Sequence, residues 1–222
     1  MRIWHRKSRQ CVAVLHGHKD RVYSVTFDPQ TSLVASAAND GAALIWDVAE
    51  LLKTEHTGSE VPAAVHRRPH RTLKRGTGRL WSVAINPDGT LLATAGDDLA
   101  VRLWNVRTDD HLSTLLGHTG RVWSVDFSPT RDALVSSGDD GTAVVWDLSP
   151  LAVGRHPAIR MTLIGLTNGW VAATPDGRYK LDGEVGSDVW HVVGNCRFPL
   201  DGLGQYLPQV RRVPFDQDLA SP

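Results

Sequence analysis

Residues 117–147 read GHTGRVWSVDFSPTRDALVSSGDDGTAVVWD, and this stretch decides the fold. It opens on Gly117-His118 and closes on Trp146-Asp147. Val122, Val125 and Phe127 form one alternating run, Ala133 to Ser137 a second and Ala143 to Trp146 a third. Turn residues stand at the joints, Ser128-Pro129 and then Asp140-Gly141, each suited to reverse the chain within a few residues. Three short strands and two tight turns in about thirty residues predict an antiparallel meander.

Working outward, the same pattern recurs. Trp4, Trp46, Trp104 and Trp146 are separated by 42, 58 and 42 residues, the middle interval exceeding the beat by 16. Each follows an aliphatic residue (Ile3, Ile45, Leu103, Val145) and precedes a polar one (His5, Asp47, Asn105, Asp147). An upstream strand keeps step as VYSVTFDP at 22–29, LWSVAINP at 80–87 and VWSVDFSP at 122–129. A period of this length means a repeat architecture. The pattern predicts strands at 21–27, 33–37 and 42–47, then 79–85, 91–95, 100–105 and 111–116, then 121–127, 133–137, 142–147 and 159–164. No segment has a convincing helical period.

The whole composition agrees with an ordinary globular protein and narrows its partners. The chain has 222 residues, long enough for one or two domains, and 24 Lys+Arg balance 24 Asp+Glu. A dedicated nucleic-acid or anionic-membrane binder needs a positive field that a net charge of zero does not supply. Cys11 and Cys196 lie far apart, and the N-terminal Met-Arg-Ile-Trp-His-Arg-Lys has no apolar signal core; free thiols in a reducing cytoplasm are expected. No run approaches the roughly 18 apolar residues that suggest a membrane span.

The 42-residue unit, with its Gly-His, Asp-Gly and Trp-Asp punctuation, resembles the WD-repeat family over roughly residues 1–165. That resemblance implies an all-β fold, a partial or small β-propeller of four-stranded antiparallel blades. The expected division is a half blade at 1–18, full units at 18–78, 76–118 and 118–165, a degenerate last blade at 166–197 and an extended tail at 198–222. Met1-Arg2-Ile3-Trp4 aligns with Val101-Arg102-Leu103-Trp104, so the chain opens inside a third strand. Either the other end of the chain completes that sheet, or upstream blades do, and the second explanation is preferred. In the last blade, Gly169 to Pro175, Asp176 to Gly183 and Ser187 to His191 stand where three strands fall, and the segment also resembles the ends of some bacterial multi-domain proteins. The extra 16 residues sit within 48–78, where His66 to Arg75 carries five cations and no acid. A solvated outer edge strand explains this better than a phosphate contact through Arg67 to Arg75.

In the family, four side chains of a blade form a hydrogen-bonded tetrad. Mapped onto this sequence they are His18, Ser36, Asp40 and Trp46 in the first full unit and His118, Ser136, Asp140 and Trp146 in the third. The second keeps Thr94, Asp98 and Trp104 but has Gly76 at the His position, so this tetrad is expected to be broken and its blade the least rigid. A His, Ser and Asp in one blade superficially resemble a hydrolytic triad. The repetition of the set together with Trp assigns them to the scaffold instead, and no catalytic residue is expected. His16-x-His18 lacks a Cys or carboxylate at ligand spacing, and no phosphate loop appears, so neither metal nor cofactor is expected.

The resemblance places another set on the propeller's top face: Arg21, Tyr23 and Asn39, then Arg79, Trp81 and Asp97, then Arg121, Trp123 and Asp139. Arginine and aromatic residues dominate interaction hot spots. A non-catalytic scaffold docking an acidic or aromatic peptide or protein segment on this face is therefore expected. The alternative is the C-terminal sensor portion of a larger bacterial signalling or protease protein whose enzymatic domain is encoded upstream. Open sheet edges also allow pairing with a second copy.

Overall fold

A computed structural model describes the chain apart from residues 29, 31, 54–64, 130–131, 184–188, 194–195, 200–206, 208 and 220–222; at 52–53, 65–66, 190–193 and 196–199 it describes the backbone alone. Strands β1 (Arg2–His5) and β2 (Gln10–Leu15) come first. They are followed by β3 (Val22–Asp28), β4 (Leu33–Ala38) and β5 (Ala43–Asp47), a single helical turn α1 (Ala49–Lys53), then β6 (Val65–Arg67) and β7 (Arg71–Leu73). The middle of the chain forms β8 (Leu80–Ile85), β9 (Leu91–Gly96), β10 (Ala100–Asn105) and β11 (His111–Leu116). Then come β12 (Val122–Phe127), β13 (Ala133–Gly138), β14 (Thr142–Asp147), β15 (Ala158–Leu166), β16 (Gly169–Ala173) and β17 (Tyr179–Gly183), with β18 (Trp190–Val193) and β19 (Cys196–Pro199) last.

The fold is all-β, and its sheets are blades of the expected antiparallel meander. One sheet has the order β3-β4-β5-β7, the next β8-β9-β10-β11, and the third begins β12-β13-β14-β15. Each innermost strand carries the same irregularity, a register shift at 22/24, 80/82 and 122/124. The turns between second and third strands need a left-handed residue, supplied by Gly41 (φ 72°) and Gly141 (φ 75°). In the middle sheet the corresponding residue is Leu99 at φ 65°, a conformation that costs a side chain on the order of 1 kcal/mol.

The sheets stack face to face, and the core lies between them rather than inside any one. Ala35, Ala37, Ala43, Ile45 and Leu73 of one sheet pack against Leu80, Val83, Leu92 and Trp104 of the next. Ala93, Ala95, Val101, Leu103 and Leu115 in turn pack against Val122, Val125, Leu134, Val144 and Trp146. Small residues on one surface receive the large ones of its neighbour, so each sheet is buried only because another follows it. The half blade β1-β2 caps the first of these through Ala13 and Leu15 against Val34, Leu44 and Trp46.

Three features depart from the sequence pattern. Before returning as β7, the excursion after residue 48 lends β6 to the neighbouring half blade, giving the order β1-β2-β6 with β6 parallel to β2. The detour from β5 to the neighbouring sheet and back to β7 accounts for the extra residues; the segment 54–64 lies outside the described residues. The helical turn α1 escapes periodicity because five residues are too few to show it. Beyond β15, the pattern suggests a separate blade over 166–197, yet β16 and β17 continue the sheet of β12 to β15 into six strands. The hairpin at 167–168 is too short to carry the chain to a new sheet, so β16 folds straight back on β15, with Leu166 opposite Gly169. Of the expected third strand at Ser187 to His191, residues 187 and 188 lie outside the described residues, and among the described strands β18 pairs with β19 alone. Part of the tail forms a strap along β17, where Tyr179 donates its N–H to Arg211 and accepts from Val213 at 3.0 and 2.8 Å.

Candidate functional site

The third sheet assembles a complete tetrad. Trp146 Nε1–H donates to Ser136 Oγ at 2.9 Å, Ser136 Oγ lies 2.8 Å from His118 Nε2, and His118 Nδ1 lies 2.9 Å from Asp140 Oδ2. An indole only donates, so Ser136 accepts from it and gives its own proton to His118 Nε2; Nδ1–H then donates to the carboxylate. Burial by itself would raise the Asp140 carboxyl. Bonds from the Thr142 hydroxyl, the Thr119 and Thr142 amides and His118 outweigh it and hold the group well below its ordinary 3.8. A depressed carboxylate contributes stability that is fully present above its unfolded value and is lost as the pH falls through the folded one. Asp140→Asn is thus expected to cost about 1–3 kcal/mol at neutral pH, with the gap to wild type closing below about pH 4; urea unfolding across that range measures it.

The first sheet repeats most of this geometry. His18 Nε2 lies 2.6 Å from Ser36 Oγ, and His18 Nδ1 lies 3.1 Å from Asp40 Oδ2. Trp46 Nε1, though buried, has no hydrogen-bond partner among the described residues. Its ring instead meets His18 edge-on at 5.9 Å. Asp40 is held below its ordinary value as well, burial again opposing bonds from the Lys19 amide, His18 and the Ala42 amide.

In the second sheet Trp104 Nε1–H donates to Thr94 Oγ1 at 3.0 Å, but Asp98 is not left alone by the missing histidine. Arg102 Nη2 pairs with Asp98 Oδ2 at 2.7 Å, both side chains being only 13 % exposed. Gly76 is the reason there is room: a Cβ there would collide with Asp98 Oδ2 and stand 2.9 Å from Arg102 Nη1. The Arg four residues after the Asp is the available signal, since the same position in the other two sheets holds an aliphatic residue, Leu44 and Val144.

On one rim of the stack the nine expected face residues come together as a unit. Tyr23 and Trp81 lie 4.3 Å apart and Trp81 and Trp123 4.6 Å apart, ring centre to ring centre. The three aromatics therefore form one continuous row across three blades. Each donates to the residue sixteen positions later: Tyr23 to Asn39, Trp81 to Asp97 at 2.7 Å and Trp123 to Asp139. Asp97 also lies between two guanidinium groups, Arg79 Nε at 3.9 Å and Arg121 Nε at 3.6 Å. Arg79 stands over the Trp81 ring at 5.8 Å, and Arg21 is exposed at the end of the row. A cleft of about 460 Å³ opens beside it, between Asn39 and Asp40 of one blade and Lys74, Gly76 and Arg79 of the next.

The family model described as WD domain, G-beta repeat matches residues 9–47, 67–105 and 109–147, a little over half of the chain. The chain belongs to the WD40-repeat family. Each match begins at the outer strand of one sheet and ends at the third strand of the next, so the sequence repeat and the blade are offset by one strand. Among curated relatives, the chain is 33% identical over 108 residues to the WD40 repeat-containing protein HOS15 of Arabidopsis thaliana, covering 48% of this chain and 18% of that one. It is 34% identical over 117 residues to the nuclear distribution protein PAC1-2 of Uncinocarpus reesii, covering 48% and 22%. It is 31% identical over 104 residues to a U3 snoRNP-associated protein-like YAOH of Oryza sativa subsp. japonica, covering 46% and 20%. The chain thus spans about a fifth of the length of these relatives. All three are eukaryotic, and the likeness of the C-terminal segment to bacterial multi-domain proteins is not borne out.

The basic segment of this WD40 chain is partly spoken for. Arg71 bonds the Val106 carbonyl and Asp109, the latter at 3.1 Å, and Lys74 Nζ reaches the Asp40 carbonyl at 3.3 Å. Cys11 is a free thiol. Among the described residues no helix is long and apolar enough to cross a membrane, and no cluster of His, Cys, Asp or Glu could hold a metal ion.

Proposed function

We propose that this chain is a non-catalytic scaffold that docks an acidic or aromatic peptide or protein segment on the face built from Arg21, Tyr23, Asn39, Arg79, Trp81, Asp97, Arg121, Trp123 and Asp139. WD40 repeats generally serve as protein-interaction scaffolds. The observation that carries the proposal is the continuous row Tyr23–Trp81–Trp123 with Asp97 shared between two exposed arginines. The row is held in place by bonds to Asn39, Asp97 and Asp139, so little side-chain entropy is lost when a ligand covers it. The arginine contacts to Asp97 are long and solvated, hence weak, and a ligand carboxylate can take over Arg79 or Arg121. The adjoining cleft receives a side chain of the same segment. Catalysis is not part of the proposal, because His18, His118 and their serine and aspartate partners are bound into the blades. A reducing, cytoplasmic setting belongs to the same proposal.

The test uses a labelled peptide of alternating Asp and Phe titrated against the whole chain. The triple change Arg21→Ala, Arg79→Ala, Arg121→Ala should weaken binding at least about tenfold with unfolding unchanged, and Trp81→Ala about thirtyfold, as a hot-spot residue does. Unaltered binding in the triple variant would sink the docking face. A labelled oligonucleotide serves as the control for phosphate contacts, whose affinity falls steeply with salt; none of that kind is expected.

A further inference from the structure

We infer that a basic cleft between the half blade and the excursion strand β6 takes a run of acidic residues from the docked partner. The ligand is then a segment with an aromatic part for the row and an Asp/Glu-rich part beyond its Arg21 end. This contact presupposes the docking face proposed above and adds a second, separate one to it. Its origin is the parallel pair β2-β6. Residues 1–19 hold five Lys or Arg and no acid, and residues 65–75 hold five more and no acid. Leu15 stands opposite Arg67, and the His16 N–H donates to the Arg67 carbonyl at 2.9 Å, which joins the two stretches in one sheet. The rest of the chain has 14 Lys+Arg against 24 Asp+Glu, so the net charge of zero conceals a basic edge on an acidic body.

A cleft of about 420 Å³ lies where the two stretches meet, lined by His16 and Gly17 of the half blade and by Arg68 and Pro69 of the excursion. A Cβ at Gly17 would stand 3.0 Å from Pro69 Cδ, so the excursion is seated directly against the Gly-His turn. Arg68 is exposed without a side-chain partner among the described residues, as is Lys19, two residues beyond Gly17. Arg67 Nε is buried and also lacks a partner among the described residues. Charges that merely protect a sheet edge stand in water; a guanidinium N–H shut away from water is costly until it meets an acceptor. Arg71 and Lys74, further along the segment, are taken up by Asp109 and by the Asp40 carbonyl, but Arg67 and Arg68 are not.

The cleft is continuous with the docking face. A smaller one of about 180 Å³ shares His16 and Gly17 with it and is also lined by Asp20 and Val22, the two neighbours of Arg21. Arg21 ends the aromatic row, so a segment that leaves the row past Tyr23 runs toward Lys19 and Arg68. The Asp20 carboxylate on this path is already occupied by Asn39 Nδ2 and the Arg21 amide. Charge complementarity names the occupant. Carboxylates suit two unpaired cations and an orphan guanidinium N–H. A polynucleotide carries phosphate along its whole length and would meet the acidic remainder of the surface on leaving the cleft, whereas a run of a few Asp or Glu ends where the cations end.

The probes are the alternating Asp and Phe peptide, the same peptide extended by six glutamates at one end or the other, and six glutamates alone bearing a photo-cross-linker. One of the two extensions should tighten binding to the whole chain about tenfold, as two or three exposed ion pairs do together. Lys19→Ala with Arg68→Ala should abolish that gain and leave both the affinity for the unextended peptide and the urea midpoint unchanged. Arg155→Ala with Arg160→Ala removes the same charge from exposed positions of the third blade and should leave the gain intact. The glutamate peptide should cross-link within residues 67–69. If the unextended peptide fails to bind, the docking face is wrong, and the cross-link still decides the cleft on its own. No gain from either extension, or an equal loss in both double variants, would overturn the inference. So would an oligonucleotide of equal charge that displaces the glutamate peptide at the same concentration, which would give the cleft to phosphate.

Discussion

Trp146→Ala should cost about 3–5 kcal/mol of folding stability, while Trp4→Ala, at the same place in its repeat, should stay within about 0.5 kcal/mol. Trp146 is 2% exposed and sits in the cluster between the second and third blades, whereas Trp4 is 57% exposed. Truncating Trp146 removes more than one kind of contact. Its ring is packed so closely against the backbone that a Cβ at Gly117 would stand 2.9 Å from Cη2, which is the local reason for glycine in the Gly-His pair. The cavity left behind is walled by strands of two sheets and cannot collapse without separating them. Trp146→Phe keeps much of the packing and loses the bond to Ser136, a net cost of about 1 kcal/mol. Equilibrium urea unfolding of the variants ranks them. Equal losses for Trp4 and Trp146 would mean that repeat position, not burial between blades, sets the value of the motif.

That contrast also marks what could be read from the sequence. The spacing of the four tryptophans and the turns at Asp40-Gly41 and Asp140-Gly141 locate eleven of the twelve strands of the three full blades to within a residue or two, because each is fixed by local turn chemistry and a period of two; β7 is placed only within the basic stretch His66 to Arg75. The grouping of Tyr23, Trp81 and Trp123 with their sixteen-residue partners follows from the same repeat. What escaped were contacts that the repeat itself does not encode. The parallel pairing of β6 with β2 depends on where a loop lands, and Val65 to Arg67 carries no mark of it. The addition of β16 to β15 was hidden because Gly169 to Pro175 resembles the innermost strand of a new blade, and only the short turn before it decides otherwise.

Arg102 is the most instructive of these, and its removal should have the second largest effect. Arg102→Ala is expected to cost about 3 kcal/mol, the low end for breaking a buried ion pair, since each partner keeps 13% exposure. Asp98 Oδ1 already lacks a partner among the described residues, so the carboxylate would lose its one strong neighbour in a place water reaches poorly. Restoring the family residue separates repair from simple loss. Gly76→His alone should destabilise, because the new Cβ meets Asp98 and the guanidinium at once. Combined with Arg102→Val, the residue that stands in the third blade at position 144, the imidazole can take the Asp98 carboxylate on one nitrogen and the Thr94 hydroxyl on the other. The double variant should then be more stable than either single one, with a coupling of about 1–3 kcal/mol. Strictly additive losses would show that the two solutions do not compete for one site. A measured coupling would mean that the second blade did not lose its tetrad but exchanged a histidine reaching from the preceding loop for an arginine reaching from its own third strand.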